Sequence, residues 1–174
     1  MTAPLLVRLG ARDRALMLRC AMPPTAARAA RAGWTAVTHL GGTGPSLLAA
    51  GVPWFACCAL HQASELALQT LVISHLLVQL MKRTVVRGRP SEVCQGAAMV
   101  REPDRFSFPS GHATAAMSVA LGYGAVFTGW VLPLVGVALV VGFSRVRLGV
   151  HYPSDVVVGQ LIAAMTAVGV LAAA

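Results

Sequence analysis

The chain has 174 residues, of which 56% are hydrophobic and 11% charged, with a mean hydropathy of +0.70. Soluble domains carry roughly 25% charged residues, so an ordinary water-soluble globule is not the expected fold. Lys+Arg number 14 against 6 Asp+Glu, a formal charge of +8, which suits anionic lipid or a phosphorylated substrate. No nucleic-acid partner is expected, because the positive charge is not spread over a polar chain.

Residues 1–40 carry Arg8, Arg12, Arg14, Arg19, Arg28 and Arg31 among Ala and Leu, and Pro23–Pro24 divides them into two pieces. Each piece is predicted to be an amphipathic helix lying on a lipid surface, with its arginines among the headgroups. A secretory signal is not expected, since Arg8, Arg12, Asp13 and Arg14 interrupt the apolar start. Residues 41–174 form the predicted membrane-embedded domain. Residues 106–144 hold no charged side chain and residues 32–81 hold only Glu65. Such runs predict membrane spans. Five follow in order, at about residues 44–60 (softened by Pro53), 63–81, 111–129, 131–144 and 156–174. The expected fold is therefore all-α, a transmembrane bundle of about five spans with a basic N-terminal arm. Cys20, Cys57, Cys58 and Cys94 form no C-x-x-C pattern and are read as unpaired thiols.

The chemistry gathers at span ends. Consecutive spans alternate direction, so the end of the second, the start of the third, the end of the fourth and the start of the fifth share one side. Lys82, Arg89, Ser110, Gly111, His112, Arg145, His151 and Asp155 thus converge at one membrane surface, where His151 is expected at a hydrated helix end. Three cations, two imidazoles and two helix N-termini describe an oxyanion site. Lys82 and Arg89 share a face if their helix continues, although Pro90 favours an extended turn at Arg89. Arg matches phosphate oxygens in a bidentate way and Lys adds a compact charge. His151 and Asp155 stand at i and i+4, so the carboxylate can fix one ring nitrogen and leave the other as a nucleophile. His112 can protonate a leaving oxygen. No metal is implied, because Asp155 alone among the acids joins the cluster.

Other polar residues have simpler readings. His75, in mid-span, is expected to make a helix-packing hydrogen bond, His39 to mark a turn, and Glu65 to be solvated. Arg83, Arg87 and Arg147 suit substrate contact and interfacial snorkelling equally; Arg101 and Arg105 are read as solvated loop residues.

Lys82-x6-Arg89-Pro90, Pro109-Ser110-Gly111-His112 and Ser144-Arg145-x5-His151-x3-Asp155 together resemble the three-part signature of the type 2 phosphatidic acid phosphatase and vanadium haloperoxidase superfamily. The resemblance covers residues 82–155, and every signature position is filled. It implies that Lys82, Arg89 and Arg145 hold phosphate oxygens with Ser110 and the Gly111 backbone. It also implies that His151 attacks phosphorus, oriented by Asp155, that His112 serves the leaving group, and that no metal or other cofactor takes part. Membrane members usually show six spans; here the segment before the first predicted span is too Arg-rich to cross easily.

The expected function is hydrolysis of a lipid phosphomonoester or diphosphate, such as a polyprenyl diphosphate, phosphatidylglycerophosphate or phosphatidate. A noncatalytic lipid-phosphate-binding protein would use the same cations but would not need the two histidines and Asp155. Haloperoxidase activity belongs to soluble members. All Lys and Arg fall on one side of the five-span arrangement, which predicts a multi-pass protein of the cell (inner) membrane with its pocket facing the cytoplasm.

Overall fold

The computed structural model describes residues 5–56, 58–93, 100 and 105–174; Cys57, Cys94 and Arg101 lie outside them. Among the described residues every regular element is helical: α1 (Leu5–Cys20), α2 (Arg28–His39), α3 (Thr43–Gly51), α4 (Cys58–Thr84), α5 (Pro90–Val93), α6 (Gly111–Val126), α7 (Val131–Arg147) and α8 (Pro153–Ala173).

The second, fourth and fifth predicted spans correspond to α4, α7 and α8, each with at least one end extended, whereas α6 ends at Val126, short of the predicted 129. Among the described residues three helical stretches are long and apolar enough to cross a bilayer: Cys58–Thr84, Thr128–Arg147 and Pro153–Ala173. The 16-residue α6 is shorter and central, packing against α4, α7 and α8. It carries no charge, and its buried face is made of small residues, including Ala113, Ser118, Ala120, Gly122 and Gly124. Small side chains let helix backbones approach closely where lipid offers no hydrophobic drive. Polar pairs tie the bundle across these faces. Ser74 Oγ lies 2.9 Å from Ser118 Oγ, Thr114 Oγ1 donates to Gly159 O at 3.0 Å, and Gln160 Nε2 donates to Ala138 O at 3.2 Å. Leu132, Met165 and Val168 are exposed on the outside, the inverse of a soluble helix and the surface a bilayer requires.

A Cβ on Gly122 would sit 2.4 Å from the backbone N and Cα of Ala67, so α4 and α6 cannot keep their spacing around a larger residue. Gly122→Ala is expected to lower stability by about 1–3 kcal/mol, read as a lower melting temperature in detergent.

The first predicted span is not one helix. α3 stops at Gly51, and a 3-10 turn, Val52–Phe55, holds Pro53, whose ring and missing N–H oppose continuation. The segment nevertheless runs beside α6 from near His112 to near Tyr123. A Cβ on Gly41 would lie 2.6 Å from His112 O at one end. Near the other, Tyr123 Oη donates to Ala49 O at 2.7 Å, Ser64 Oγ donates to Ala50 O, and the rings of Trp54 and His61 meet at 4.6 Å. Glu65, expected in solvent, is half-buried and accepts from Gln69 Nε2 at 3.3 Å.

Pro23–Pro24 separates α1 from α2, as expected of two adjacent residues that cannot donate a helical hydrogen bond. Both helices pack against the bundle. Met17 joins Ala113, Val146, Tyr152 and Val156 in one cluster, and Trp34 meets Phe143 edge-on at 5.7 Å.

Candidate active site

Four chain segments meet at one end of the bundle. α4 ends at Thr84 with Lys82 and Arg83 in its last turn, where cations complement the helix dipole. Residues 86–89 are irregular, so Arg89 reaches the site from an extended turn before Pro90. The bond Phe108–Pro109 is cis, and Ser110 caps the start of α6 without a side-chain cap bond. α7 ends at Arg147. Gly149 follows with φ +71°, a conformation glycine adopts without steric cost. The reversal returns the N–H groups of Val150 and His151 to Arg145 O at 3.1 and 3.3 Å. Pro153 then opens α8, and Asp155 Oδ2 accepts the N–H of Tyr152 at 2.9 Å.

The anchors are buried. Lys82, Arg89 and Arg145 are 5%, 0% and 1% exposed. Lys82 Nζ donates to Phe106 O at 3.0 Å, Arg89 Nη1 to Val150 O at 3.0 Å, and Arg145 Nη1 to Thr38 Oγ1 at 2.8 Å. Protein oxygens thus hold each cation in place. Ser110 N donates to Asp155 O at 2.9 Å, joining the start of α6 to that of α8. Its Oγ is buried with no hydrogen-bond partner among the described residues. Buried hydroxyls are ordinarily satisfied, so this oxygen suits a bound ligand.

A cavity of about 480 Å³ is lined by Lys82, Arg89, Gly111, His112 and His151, and continues past Gln79 and His75 to Leu47, Leu71 and Leu76. One end is cationic and the other apolar, as an amphiphile requires. A Cβ on Gly159 would fall 2.7 Å from Ser110 O, so close packing of α8 also fixes the cap residue. His151 Nδ1 lies 3.5 Å from Asp155 Oδ2, which leaves Nε2 for a ligand. His151 is 2% exposed, which corrects the expected hydrated helix end: the Gly149 reversal folds it inward. Burial, with Arg145 and Arg89 opposing Asp155, pushes its pKa down to about 4, so the imidazole is neutral near pH 7.

The structure brings together all eight site residues expected from sequence and adds others. Arg87 is not a snorkelling side chain. Its Nη1 donates to Asp155 Oδ1 at 2.6 Å and its Nη2 to Asp13 Oδ2 at 2.6 Å. Asp13 was hidden in the basic arm, and the available signal was its being the sole acid before Glu65. Arg147 binds Cys20 O at 2.7 Å, a structural contact. His75 pairs with Gln79 of its own helix at 3.1 Å rather than across to another, and both face the cavity.

This geometry coincides with similarity to known proteins. A decaprenylphosphoryl-5-phosphoribose phosphatase of Mycobacterium tuberculosis is 45% identical over 92 residues, covering 53% of this chain and 50% of that protein. A lipid A 1-phosphatase of Rhizobium johnstonii is 35% identical over 95 residues, 52% of this chain and 39% of the relative. The chain thus spans about half the length, or less, of these curated relatives. In fold it is similar to a transmembrane PAP2-type phosphatidylglycerolphosphate phosphatase of Bacillus subtilis, with TM-score 0.75 at 23% identity, over 95% of this chain and 85% of that one. A sequence profile of the PAP2 superfamily matches residues 66–174, the stretch that carries every anchor of the pocket, and the chain belongs to that superfamily.

Proposed function

We propose that the protein is a metal-independent integral-membrane phosphatase that hydrolyses a phosphomonoester or diphosphate of a lipid through a phosphohistidine. The observation that carries this reading is the single cavity in which Lys82, Arg89, His112 and His151, from separate segments, face an apolar groove. Lys82, Arg89, Arg145, Ser110 and the Gly111 N–H hold the phosphoryl oxygens and stabilise the charge of in-line transfer. His151 Nε2 attacks phosphorus, and the bond to the lipid oxygen breaks as His112 gives that oxygen a proton. Neutral His112 then takes a proton from water, whose oxygen attacks phosphorus, releasing phosphate and restoring His151. Both imidazoles and Asp155 are superfluous to mere binding, which argues against a noncatalytic lipid-phosphate binder.

The polyprenyl-linked substrate named for the mycobacterial relative makes a polyprenyl-linked phosphate the first lipid to test. In this proposal α3 with its 3-10 turn, α4, α6, α7 and α8 are five crossings of the cell membrane. Residues 1–40 form a basic arm at the surface, and residues 41–174 form the phosphatase domain. In the five-span arrangement the eleven arginines besides the three site cations fall on the pocket side, and the positive-inside rule favours a cytoplasmic pocket. A reporter fused after Ala174 and found in the cytoplasm would contradict that orientation. Phosphate release by purified protein over a lipid panel in detergent, with a strong chelator present, tests the reaction. No release from any lipid, or a strict Mg²⁺ requirement, rejects it.

The lowered pKa of His151 gives a pH prediction. Its neutral form is the nucleophile, and protonation removes activity as pH falls through about 4 rather than through 6.5. The kcat/KM profile of the free enzyme is expected to lack an imidazole step near 6.5 on its acid side. A limb there that survives a change of substrate would contradict a buried, neutral His151.

A further inference from the structure

The side chain that completes the coordination of Asp155 is not one of the phosphate anchors. Asp155 is 0% exposed, and its two oxygens are separately engaged. Oδ2 accepts Tyr152 N–H and faces His151 Nδ1; Oδ1 accepts from Arg87 Nη1 at 2.6 Å. The guanidinium is itself fixed on three further sides. Nη1 also donates to Ser154 Oγ at 2.8 Å, Nη2 meets Asp13 Oδ2 at 2.6 Å, and the plane lies 4.0 Å from the centre of the Tyr152 ring. Asp13 holds α8 directly as well, accepting Ser154 N–H at 3.0 Å and the Ser154 hydroxyl. Arg87 is absent from the cavity wall, so these donors serve carboxylates rather than substrate. Asp13 also lies outside the matched residues 66–174.

We infer that Arg87 and Asp13 form a positioning clamp that holds the Asp155 carboxylate, and through it the His151 ring, in the attacking orientation. The inference rests on the phosphohistidine reading. A carboxylate with one oxygen released can turn about its Cβ–Cγ bond. Its other oxygen would then face Tyr152 N–H and His151 Nδ1 with no constraint choosing between them. A buried oxygen stripped of its guanidinium is also costly, which drives the rotation. The clamp therefore acts on the chemical step and leaves the phosphate anchors untouched. It also makes α1, on the periphery of the bundle, part of the catalytic apparatus.

The test compares wild type with Arg87→Ala, Arg87→Lys, Asp13→Asn and the Arg87→Ala/Asp13→Asn double variant, as full-length protein in detergent with one lipid phosphate. Arg87→Ala is expected to lower kcat about 10- to 100-fold, the scale seen when the outer partner of an oriented group is removed. KM and the inhibition constant of inorganic phosphate should stay within about threefold, because uniform binding is unaffected. Arg87→Lys should recover part of kcat. Asp13→Asn should cause a smaller loss that does not add to that of Arg87→Ala, as expected of coupled neighbours. Unchanged kcat in Arg87→Ala overturns the clamp, as does a rise in KM and in the phosphate constant at constant kcat. Should Arg87→Ala not fold, Arg87→Lys and Asp13→Asn decide: wild-type kcat in both overturns it. A wild type inactive on every lipid of the panel overturns the phosphatase reading and the clamp together, whereas an active wild type matched by its variants overturns the clamp alone.

Discussion

His151→Ala is expected to lower lipid phosphate release by about four orders of magnitude or more, the scale of losing a nucleophile that no neighbour can replace. Among the described residues the proposed mechanism has no substitute for it. Asp155 is committed to Tyr152, Arg87 and His151, and the proposed mechanism assigns His112 to the leaving group in the same step. Because His151 is 2% exposed, the alanine variant also opens a cavity. His151→Gln, which keeps most of the volume, separates the chemical loss from the packing loss. Both variants should be inactive, and the glutamine variant should melt near wild type. After brief exposure to lipid labelled on phosphorus, wild type should carry acid-labile, base-stable label, as a P–N bond does, and both variants should carry none. Substantial turnover by well-folded His151→Gln would remove His151 from the nucleophile role.

The sequence disclosed the pocket more completely than the bundle around it, for a physical reason. Polar groups near a membrane are costly enough to be rare. Alternation of span direction alone therefore sorted Lys82, Arg89, His112, Arg145 and His151 onto one end, where they line or back a single site. Helix boundaries were legible from Pro109-Ser110, Pro153 and the terminal arginines of α7. In the first predicted span Pro53 signalled the softening but not where the helix stops, because apolar composition reports burial in lipid, not continuity of the helix; the divided segment still runs from His112 to Tyr123. The burial of His151 was invisible because it depends on the positive φ of Gly149, which turns the chain back on Arg145. Asp13 and Arg87 are 74 residues apart. No local spacing connects them, and each had an adequate bland explanation on its own, as a charge in a basic arm or a snorkelling arginine. Only the packing of α1 across the start of α8 reveals the pair.

His112→Ala should discriminate between substrates by their leaving group, and this separates a proton donor from another phosphate anchor. His112 sits in the first turn of α6 and lines the same cavity as His151, with the Gly41 backbone against its carbonyl. An alkoxide leaves poorly unless protonated, so with an alkyl lipid phosphate the first-turnover rate should fall about 10²- to 10⁴-fold, the usual contribution of a positioned acid. A nitrophenyl phosphate needs no proton on its leaving oxygen, so its first turnover should fall by about tenfold or less, within the same Brønsted reasoning. The second half-reaction still lacks its base, whichever substrate was used. With the nitrophenyl ester the variant should therefore release a burst of nitrophenol close to one equivalent per enzyme, then slow sharply as the phosphohistidine accumulates. Rapid-mixing absorbance on wild type and variant measures both phases. If His112 instead only gripped the phosphoryl group, its loss would slow the first turnover of both esters equally and no burst would form, since the two substrates share the phosphoryl oxygens.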